Sequence, residues 1–492
     1  MSNKGKFIIP KEVSLVTEGL EKAGFEAYLV GGCVRDMVRG EKPKDWDVTT
    51  NAKPEEIQKT FENTFYENDY GTVGVVNEEA EDETLKVVEV TPYRLESKYS
   101  DSRRPDSVTF GDSLEDDLKR RDFTVNAIAY SVSQGHLVDP YKGQDDISKR
   151  TIRAVWEPEE RFSEDALRIL RAVRLASELH FAIESATKKA IQKTSQNLIK
   201  IAKERIRDEF SRILLSARPM EGLLLADELG ILLYVAPDLK RGIGIKQNQA
   251  HKYDVYEHNL RTLQHSADND WALDLRLASL FHDISKPETR RWSDEKNDWT
   301  FHGHDVVGAR LTKKIMKELH YPNDLIEKVS RLVRWHMFFS DPEKITLSAV
   351  RRIVRNVGPE NIWDLMNLRV CDRIGTGRPK AHPYRLRKYQ SMVEEALRDP
   401  ISVLMLKING NRIMEISAEK PSQKIGFVLH ALLEEVLDDP SFNTPEYLEK
   451  KALELIKLPD GELKMLGEKG KERREKVDTA EIEKLREKHW VK

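Results

Sequence analysis

Tyr28-Leu29-Val30-Gly31-Gly32-Cys33-Val34-Arg35-Asp36, followed by Asp45-Trp46-Asp47, is the segment from which the rest of the chain can be read. The apolar run Tyr28-Leu29-Val30 reads as a short buried strand feeding two glycines, and the residues after them can start a helix. Glycines after a strand let the backbone come close to a phosphate, and the helix N-terminus that follows offers unpaired N–H groups to an anion. An extended Asp45-Trp46-Asp47 points both carboxylates to one face, because side chains alternate along a strand. Two hard oxygen ligands on one face suit Mg²⁺, which keeps waters and draws its other ligands from substrate phosphates. Taken singly, a Gly-Gly pair reads as a turn and an Asp-x-Asp as solvated surface. Taken together and in this order, they describe phosphoryl or nucleotidyl transfer from a nucleoside triphosphate.

In order and spacing this combination resembles the class II nucleotidyltransferases, the family of CCA-adding tRNA nucleotidyltransferases and bacterial poly(A) polymerases. The resemblance implies that Asp45 and Asp47 hold the catalytic Mg²⁺ ions and that Gly31, Gly32, Arg35 and Asp36 sit on the triphosphate.

A chain of 492 residues has room for three or four domains with separate cores. Hydrophobic residues make up 39% and charged residues 34%, and no apolar run reaches the roughly 18 residues that span a bilayer. The start, Met1-Ser2-Asn3-Lys4-Gly5-Lys6, is too short and polar for a signal peptide, and Cys33 and Cys371 supply no disulfide framework. The expected compartment is a reducing cytoplasm, with no membrane partner. Net charge is −3, from 81 basic and 84 acidic residues, so RNA would have to be met by local basic patches rather than a global field. The candidate patches are Arg103-Arg104, Lys119-Arg120-Arg121, Arg168/Arg171/Arg174 and Arg351-Arg352/Arg355. Any one of them, read singly, is a solvated helix face.

From about residue 23 to 155, short apolar runs alternate with helical stretches. Val73-Gly74-Val75-Val76, Lys86-Val87-Val88-Glu89-Val90 and His136-Leu137-Val138-Asp139 read as strands bounded by turns. Glu89 is either a third carboxylate beside the aspartate pair or a glutamate on an edge strand. From Arg94 to Pro105 the chain is polar and aperiodic and reads as a mobile loop. The resemblance implies that such a loop helps switch specificity from CTP to ATP, and its presence favours full CCA addition over CC addition. Arg120-Arg121-Asp122-Phe123-Thr124-Val125-Asn126 reads alone as an ordinary helix start; the resemblance assigns Arg121, Asp122 and Asn126 to the triphosphate and to ribose selection.

Arg161 to Arg171 has apolar residues at helical spacing, with Ser163 as the expected cap. Asp165 and Arg168, three apart, share one helix face and by spacing alone read as a surface salt bridge. A carboxylate acceptor beside a guanidinium donor also fits the amino-bearing edges of cytosine and adenine and rejects uracil and guanine. The resemblance implies that Glu164, Asp165 and Arg168 serve as such a protein template, with Arg171 in the same nucleotide-binding set. The segment Glu204 to Phe210 matches a further family motif and is expected to support the neck.

Eight of the 13 histidines fall between His251 and His336. Among them, the order His258, His282-Asp283, His304, His336 and then Asp372 offers nitrogen and oxygen ligands suited to a divalent metal. This set resembles the HD-type metal-dependent phosphohydrolases. The resemblance implies one metal on His258, His282, Asp283 and Asp372 and a second completed by His304 and His336, its identity left open, with His304 a better ligand than His302. A metal there would create a hydroxide nucleophile aimed at a phosphate.

The expected fold is α+β: a small mixed α/β nucleotidyltransferase head over 1–150, then all-α segments. These are a neck over 151–245, an HD domain over 246–395 and a helical body and tail over 396–492 for tRNA binding. The last stretch, 468–492, reads as a charged helix or frayed tail. The expected activity is template-independent addition of CCA to the 3′ end of tRNA from CTP and ATP, releasing pyrophosphate. An A-adding or CC-adding tRNA enzyme is the alternative, followed by a poly(A) polymerase and a nucleotide-sensing HD hydrolase.

Overall fold

The computed structural model describes residues 7–66, 71–95, 109–111, 113–249, 251–338 and 345–467. The expected mobile loop lies outside the described residues from 96 onward, as do Arg103-Arg104 and the tail 468–492. The chain divides into two compact units, 1–237 and 238–492.

The first unit is built on a seven-stranded mixed sheet. Its strands are β1 (Ala27–Val30), β2 (Asp47–Thr50), β3 (Thr64–Tyr66), β4 (Val73–Val76), β5 (Val87–Pro92), then β8 (Ala129–Ser131) and β9 (His136–Val138), after a small separate pair, β6 (Arg94–Leu95) and β7 (Thr109–Phe110). The order is β3-β4-β5-β2-β1-β8-β9. Within this sheet only β2 and β5 run parallel; their register sets Asp47 opposite Glu89. β5 lies between β4 and β2, so Glu89 stands on an interior strand and not on an edge. Leu29, Val48, Val73, Val88 and Val90 are fully buried, the mark of strands covered on the core face. β6 and β7 pair Arg94 with Phe110 and Leu95 with Thr109, so the chain leaves and returns at one place.

The glycine-loop helix Gly32–Arg39 follows β1 directly and stops at Gly40, whose φ of 77° is the left-handed C-terminal stop that glycine takes without strain. The rest of the unit is helical apart from a short parallel pair, Thr151–Ile152 with Ala182–Ile183. The expected single helix over 161–171 is two helices, Pro158–Glu164 and Leu167–Leu179, with Asp165 extended between them at φ −138° and ψ 102°. Asp165 itself caps the second helix, accepting from the Leu167 N–H at 3.0 Å. Ser163 is therefore not a cap: it lies inside the first helix, where its hydroxyl donates to the Glu159 carbonyl.

The second unit is almost all helix, with one short hairpin pairing Arg291–Ser293 with Asp298–Thr300. The basic run at 351–355 clasps the helix Gln423–Asp438. Arg351 bonds the Leu437 carbonyl and Asp399, Arg352 bonds Glu434 and Asp438, and Arg355 bonds Glu434. These arginines are packing devices, with Arg351 buried, and not the solvated helix face that a single cluster suggests. Among the described residues no helix is long and apolar enough to cross a membrane.

Leu29 is central in the sheet and has no exposed surface. Leu29→Ala is expected to lower the unfolding free energy of the first unit by about 2–5 kcal/mol, and Leu29→Met by less than about 1.5 kcal/mol. Urea denaturation followed by circular dichroism checks both.

Candidate active site of the head and candidate metal centre

The head site begins with Gly31. Its φ of 80° ends β1 and turns the chain into the helix Gly32–Arg39. A Cβ on Gly31 would lie 3.2 Å from Arg121 Nη1 and 3.3 Å from Asp47 Oδ2. One on Gly32 would lie 3.6 Å from both Asp45 Oδ1 and Arg35 Nη2. The two glycines thus make room for two carboxylates and two guanidinium groups. Trp46 is buried, whereas Asp45 is exposed and Asp47 half-buried, the alternation expected of an extended Asp-x-Asp. Glu89 joins them through the backbone: its N–H donates to the Trp46 carbonyl at 3.0 Å, and it faces Asp47 across the parallel pair.

Around this turn runs a chain of polar contacts. Asp36 holds Arg35 at 2.9 Å, and Arg35 Nη1 donates to Asn126 Oδ1 at 2.8 Å. Asn126 Nδ2 reaches Asp122 Oδ1 at 3.3 Å, and Arg171 Nε donates to Asp122 Oδ2 at 2.7 Å. Burial would raise the Asp122 carboxyl, but the adjacent Arg171 outweighs it and holds the group at about 2. Both Asp122 oxygens are thus bonded within the protein, which makes it a brace between the loop and the neck. Arg121 is steadied by Asp117, 3.0 Å away and fully buried; Arg120 shares the same acid, and Thr49 Oγ1 donates to it at 3.3 Å. Asp117 was not foreseen. Its only sequence signal is a carboxylate three and four residues ahead of two arginines.

The expected Asp165–Arg168 pair is not formed. With the helix broken at Asp165, that carboxylate bonds Arg205 at 2.7 Å. Arg168 instead takes Glu164 at 2.6 Å and donates to the backbone carbonyls of Arg161 and Arg120. The structure therefore brings Glu164, Asp165, Arg168 and Arg205 to the helix break. Arg205 lies in the segment expected only to support the neck.

In the second unit the site is a knot of imidazoles and carboxylates. His258 and Asp372 sit on the paired helices Val255–Asp268 and Ile362–Gly375. His282 and His336 end the helices Leu273–Phe281 and Asn323–Trp335, and His304 begins His304–Glu318. His282, His304 and His336 each place Nδ1 on a carbonyl oxygen, of Ser279, Phe301 and Val333, at 2.9, 2.6 and 2.6 Å. A carbonyl only accepts, so each Nδ1 carries the proton and each Nε2 presents a lone pair inward. His304 and His336 bring their Nε2 atoms to 3.3 Å of each other, and to 3.3 and 3.5 Å of Asp283 Oδ1. That oxygen is buried and has no hydrogen-bond partner. Three lone-pair atoms converging with no proton between them leave a place that fits a cation.

The first half of the site is similar. His258 Nε2 lies 3.0 Å from His282 Nε2, 3.1 Å from Asp283 Oδ2 and 3.4 Å from Asp372 Oδ1. Burial would lower His258, but Asp283 and Asp372 hold it up at about 9, so without a metal a proton supplies the positive charge. Burial would likewise raise Asp283, and His282 and Lys286 keep it well below the usual carboxylate range. Asp283 faces both halves, Oδ2 toward His258 and His282 and Oδ1 toward His304 and His336. His251, not singled out from the sequence beyond its place in the histidine cluster, joins His258 and Asp283 in a third such group. Burial, with Lys286 and His258 nearby, pushes its imidazole down to about 3, so it stays neutral. Among the described residues, three-ligand groups with atoms within 4.8 Å of one another occur only in this unit. The centre opens into a cavity of about 1140 Å³ whose wall includes Lys296, Trp299, His302, Arg373 and Arg378.

Were each half to hold a divalent ion, removing the shared acid would affect both, and removing a one-sided ligand only one. Asp283→Ala is expected to lose divalent metal from both positions, and His304→Ala from one, read as metal per chain by plasma mass spectrometry after dialysis.

Residues 27–153 match the Poly A polymerase head domain, 180–243 the probable RNA and SrmB-binding site of polymerase A, and 255–365 the HD domain. The CCA-adding enzyme of Leuconostoc mesenteroides is 47% identical over 208 residues, 42% of this chain and 50% of that protein. That of Enterococcus faecalis is 44% identical over 236 residues, 48% of this chain and 56% of that protein. The chain spans about half the length of the curated relatives it matches. The CCA-adding enzyme of Bacillus stearothermophilus in complex with CTP is 26% identical, with 91% of this chain and 98% of that chain covered at a TM-score of 0.66. The Thermotoga maritima CCA-adding enzyme complexed with tRNA, at 18% identity and a TM-score of 0.52 over 92% of this chain and 97% of that chain, shares the fold. In one polypeptide the chain thus joins a Poly A polymerase head domain, a polymerase A RNA-binding segment and an HD domain.

Proposed function

We propose that the chain adds CCA to the 3′ end of tRNA from CTP and ATP. The observation that carries this reading is the placing of Asp45 and Asp47 against the Gly31-Gly32 turn, with Arg121 and Arg35 beside them. Asp45 and Asp47 would hold Mg²⁺, with Glu89 next to them; when bound, the metal supplies activation of the attacking 3′-hydroxyl and neutralises the leaving pyrophosphate. Arg35 and Arg121 bind the triphosphate, and Asp122, Asn126 and Arg171 hold those groups in place. Asp165 accepts from the amino group of cytosine or adenine and Arg168 donates to the neighbouring ring acceptor. Arg205 and Glu164 limit how far that pair can turn. The proposed setting is the cytoplasm. The domain limits proposed are those of the sequence reading, with the tRNA acceptor end held by the neck and the C-terminal helices.

A second activity, phosphohydrolysis, is favoured by the ligand knot around Asp283 and the basic wall of its cavity. His258, His282, Asp283, His304, His336 and Asp372 would hold its metals, of a kind the donor set leaves open between several divalent ions.

The test is extension of a tRNA ending at its discriminator base and of the same tRNA ending in CC, with CTP and ATP singly and together, products read by mass. CCA on the first substrate is expected. Growth of CC alone, or of A on the CC end alone, would replace the reading by a partial enzyme. Long A tails on unrelated RNA would replace it by a poly(A) polymerase. Asp45→Asn with Asp47→Asn is expected to slow extension by on the order of 10³-fold or more, the several kcal/mol a metal supplies, while hydrolysis of a model phosphodiester at the second centre continues.

A further inference from the structure

We infer that Trp156 is a stacking platform for a nucleobase at the 3′ end of the RNA that the head extends, an inference that rests on the reading above. Trp156 lies between the buried Ala154-Val155 and the helix Pro158–Glu164. Its φ is 61°, in the left-handed region that a bulky side chain occupies only at a cost. That cost is not recovered by burial, for the indole is 59% exposed. Large aromatics held open in a strained backbone mark places where a surface is kept for something else.

The platform is mounted on the head site. The Val155 N–H donates to the Asp122 carbonyl at 3.1 Å, and Ala154 bridges Phe123. Lys119 Nζ stands 5.1 Å from the indole centroid. The Lys119 carbonyl accepts from Arg161 Nη1 at 3.4 Å, and the Arg120 carbonyl from Arg168 Nη2 at 3.0 Å. The indole and ammonium are thus fixed, through adjacent backbone, to the arginine proposed to read the incoming base.

The chemistry selects the occupant. The incoming nucleotide is chosen by hydrogen bonds, and the groups for that, Asp165 and Arg168, are 18% and 12% exposed. The growing end has the opposite requirement. Its last base changes with every addition, from the discriminator to the first C and then the second. A flat aromatic accepts any base by its π face, and a lysine beside it takes the backbone phosphate without reading sequence.

Trp156→Gly separates this role from a structural one, because glycine relieves the strained φ while removing the ring. With full-length protein and a tRNA transcript lacking CCA, the Trp156→Gly variant is expected to bind RNA about 5- to 150-fold more weakly, the loss of one base–aromatic stack. CTP binding stays unchanged and the melting temperature is equal or higher. Trp156→Phe retains most of the RNA affinity. Unchanged RNA affinity in Trp156→Gly overturns the inference, as does a parallel loss of RNA affinity, CTP affinity and melting temperature, which would make the ring structural. Extension of RNA by the wild type with an unaffected Trp156→Gly sinks this inference alone. A wild type that extends no RNA sinks the reading of the head itself.

Discussion

Gly31 is the point at which three separate parts of the head must meet. The end of β1, the Asp47 carboxylate opening β2 and the Arg121 side chain all approach a position where any Cβ would sit 3.2–3.3 Å from the last two. The positive φ and the missing side chain are one requirement seen twice, since the turn and the close approach fail together. A buried acid closes the loop. Asp117 draws Arg120 and Arg121 toward it, and Thr49, two residues after Asp47, donates to the same carboxylate. Losing either arginine would leave part of a buried charge unmatched, the costly way to break such a cluster. Arg121 is therefore held beside Asp47 at the Gly31 turn by a second, buried acid.

From that turn, order spreads through charge-assisted hydrogen bonds rather than apolar packing. Arg35, Asn126, Asp122 and Arg171 run from the glycine loop to the neck, and beyond them Glu209 makes an ion pair with Arg174 at 2.8 Å. From Arg35 to Arg171 each member fills a donor or acceptor of the next, so the glycine loop and the helix Leu167–Leu179 belong to one network. Such a network holds two arginines at the glycine turn, each on an acid of its own, Arg35 on Asp36 and Arg121 on Asp117.

Much of this was legible because it depends on spacing. Alternation put Asp45 and Asp47 on one side of Trp46, and the order His258, His282-Asp283, His304, His336, Asp372 gave a set that the helices do bring together. What the sequence hid depends on breaks in regularity and on distant partners. Apolar spacing from Arg161 to Arg171 looks like one helix, and nothing local shows that Asp165 prefers to cap the second helix and bond Arg205, forty residues on. Glu89 was ambiguous for a related reason: an interior strand and an edge strand share the same alternation, and only the pairing of β5 with both β4 and β2 separates them. Trp156 was invisible because a backbone angle leaves no mark on composition.

The two candidate metal centres meet the same electrostatic problem in different ways. In the head, an exposed Asp45 and a half-buried Asp47 gather no third ligand within 4.8 Å among the described residues, so a hard cation there would be completed by waters and by the phosphates that arrive with the substrate. Metal binding and nucleotide binding are then linked, and arginines nearby compete for the same phosphates instead of the same carboxylates. In the second centre the ligands are buried, their imidazoles are oriented by backbone carbonyls, and the carboxylates are held charged by Lys286 and Arg369, 2.5 Å from Asp283 and Asp372. Nitrogen donors and burial suit an ion that stays when the substrate leaves. One chain thus carries an open carboxylate pair suited to a metal that comes with its substrate and a buried ligand set suited to one that stays with the protein, and each follows from where its acids fall relative to strand ends and helix ends.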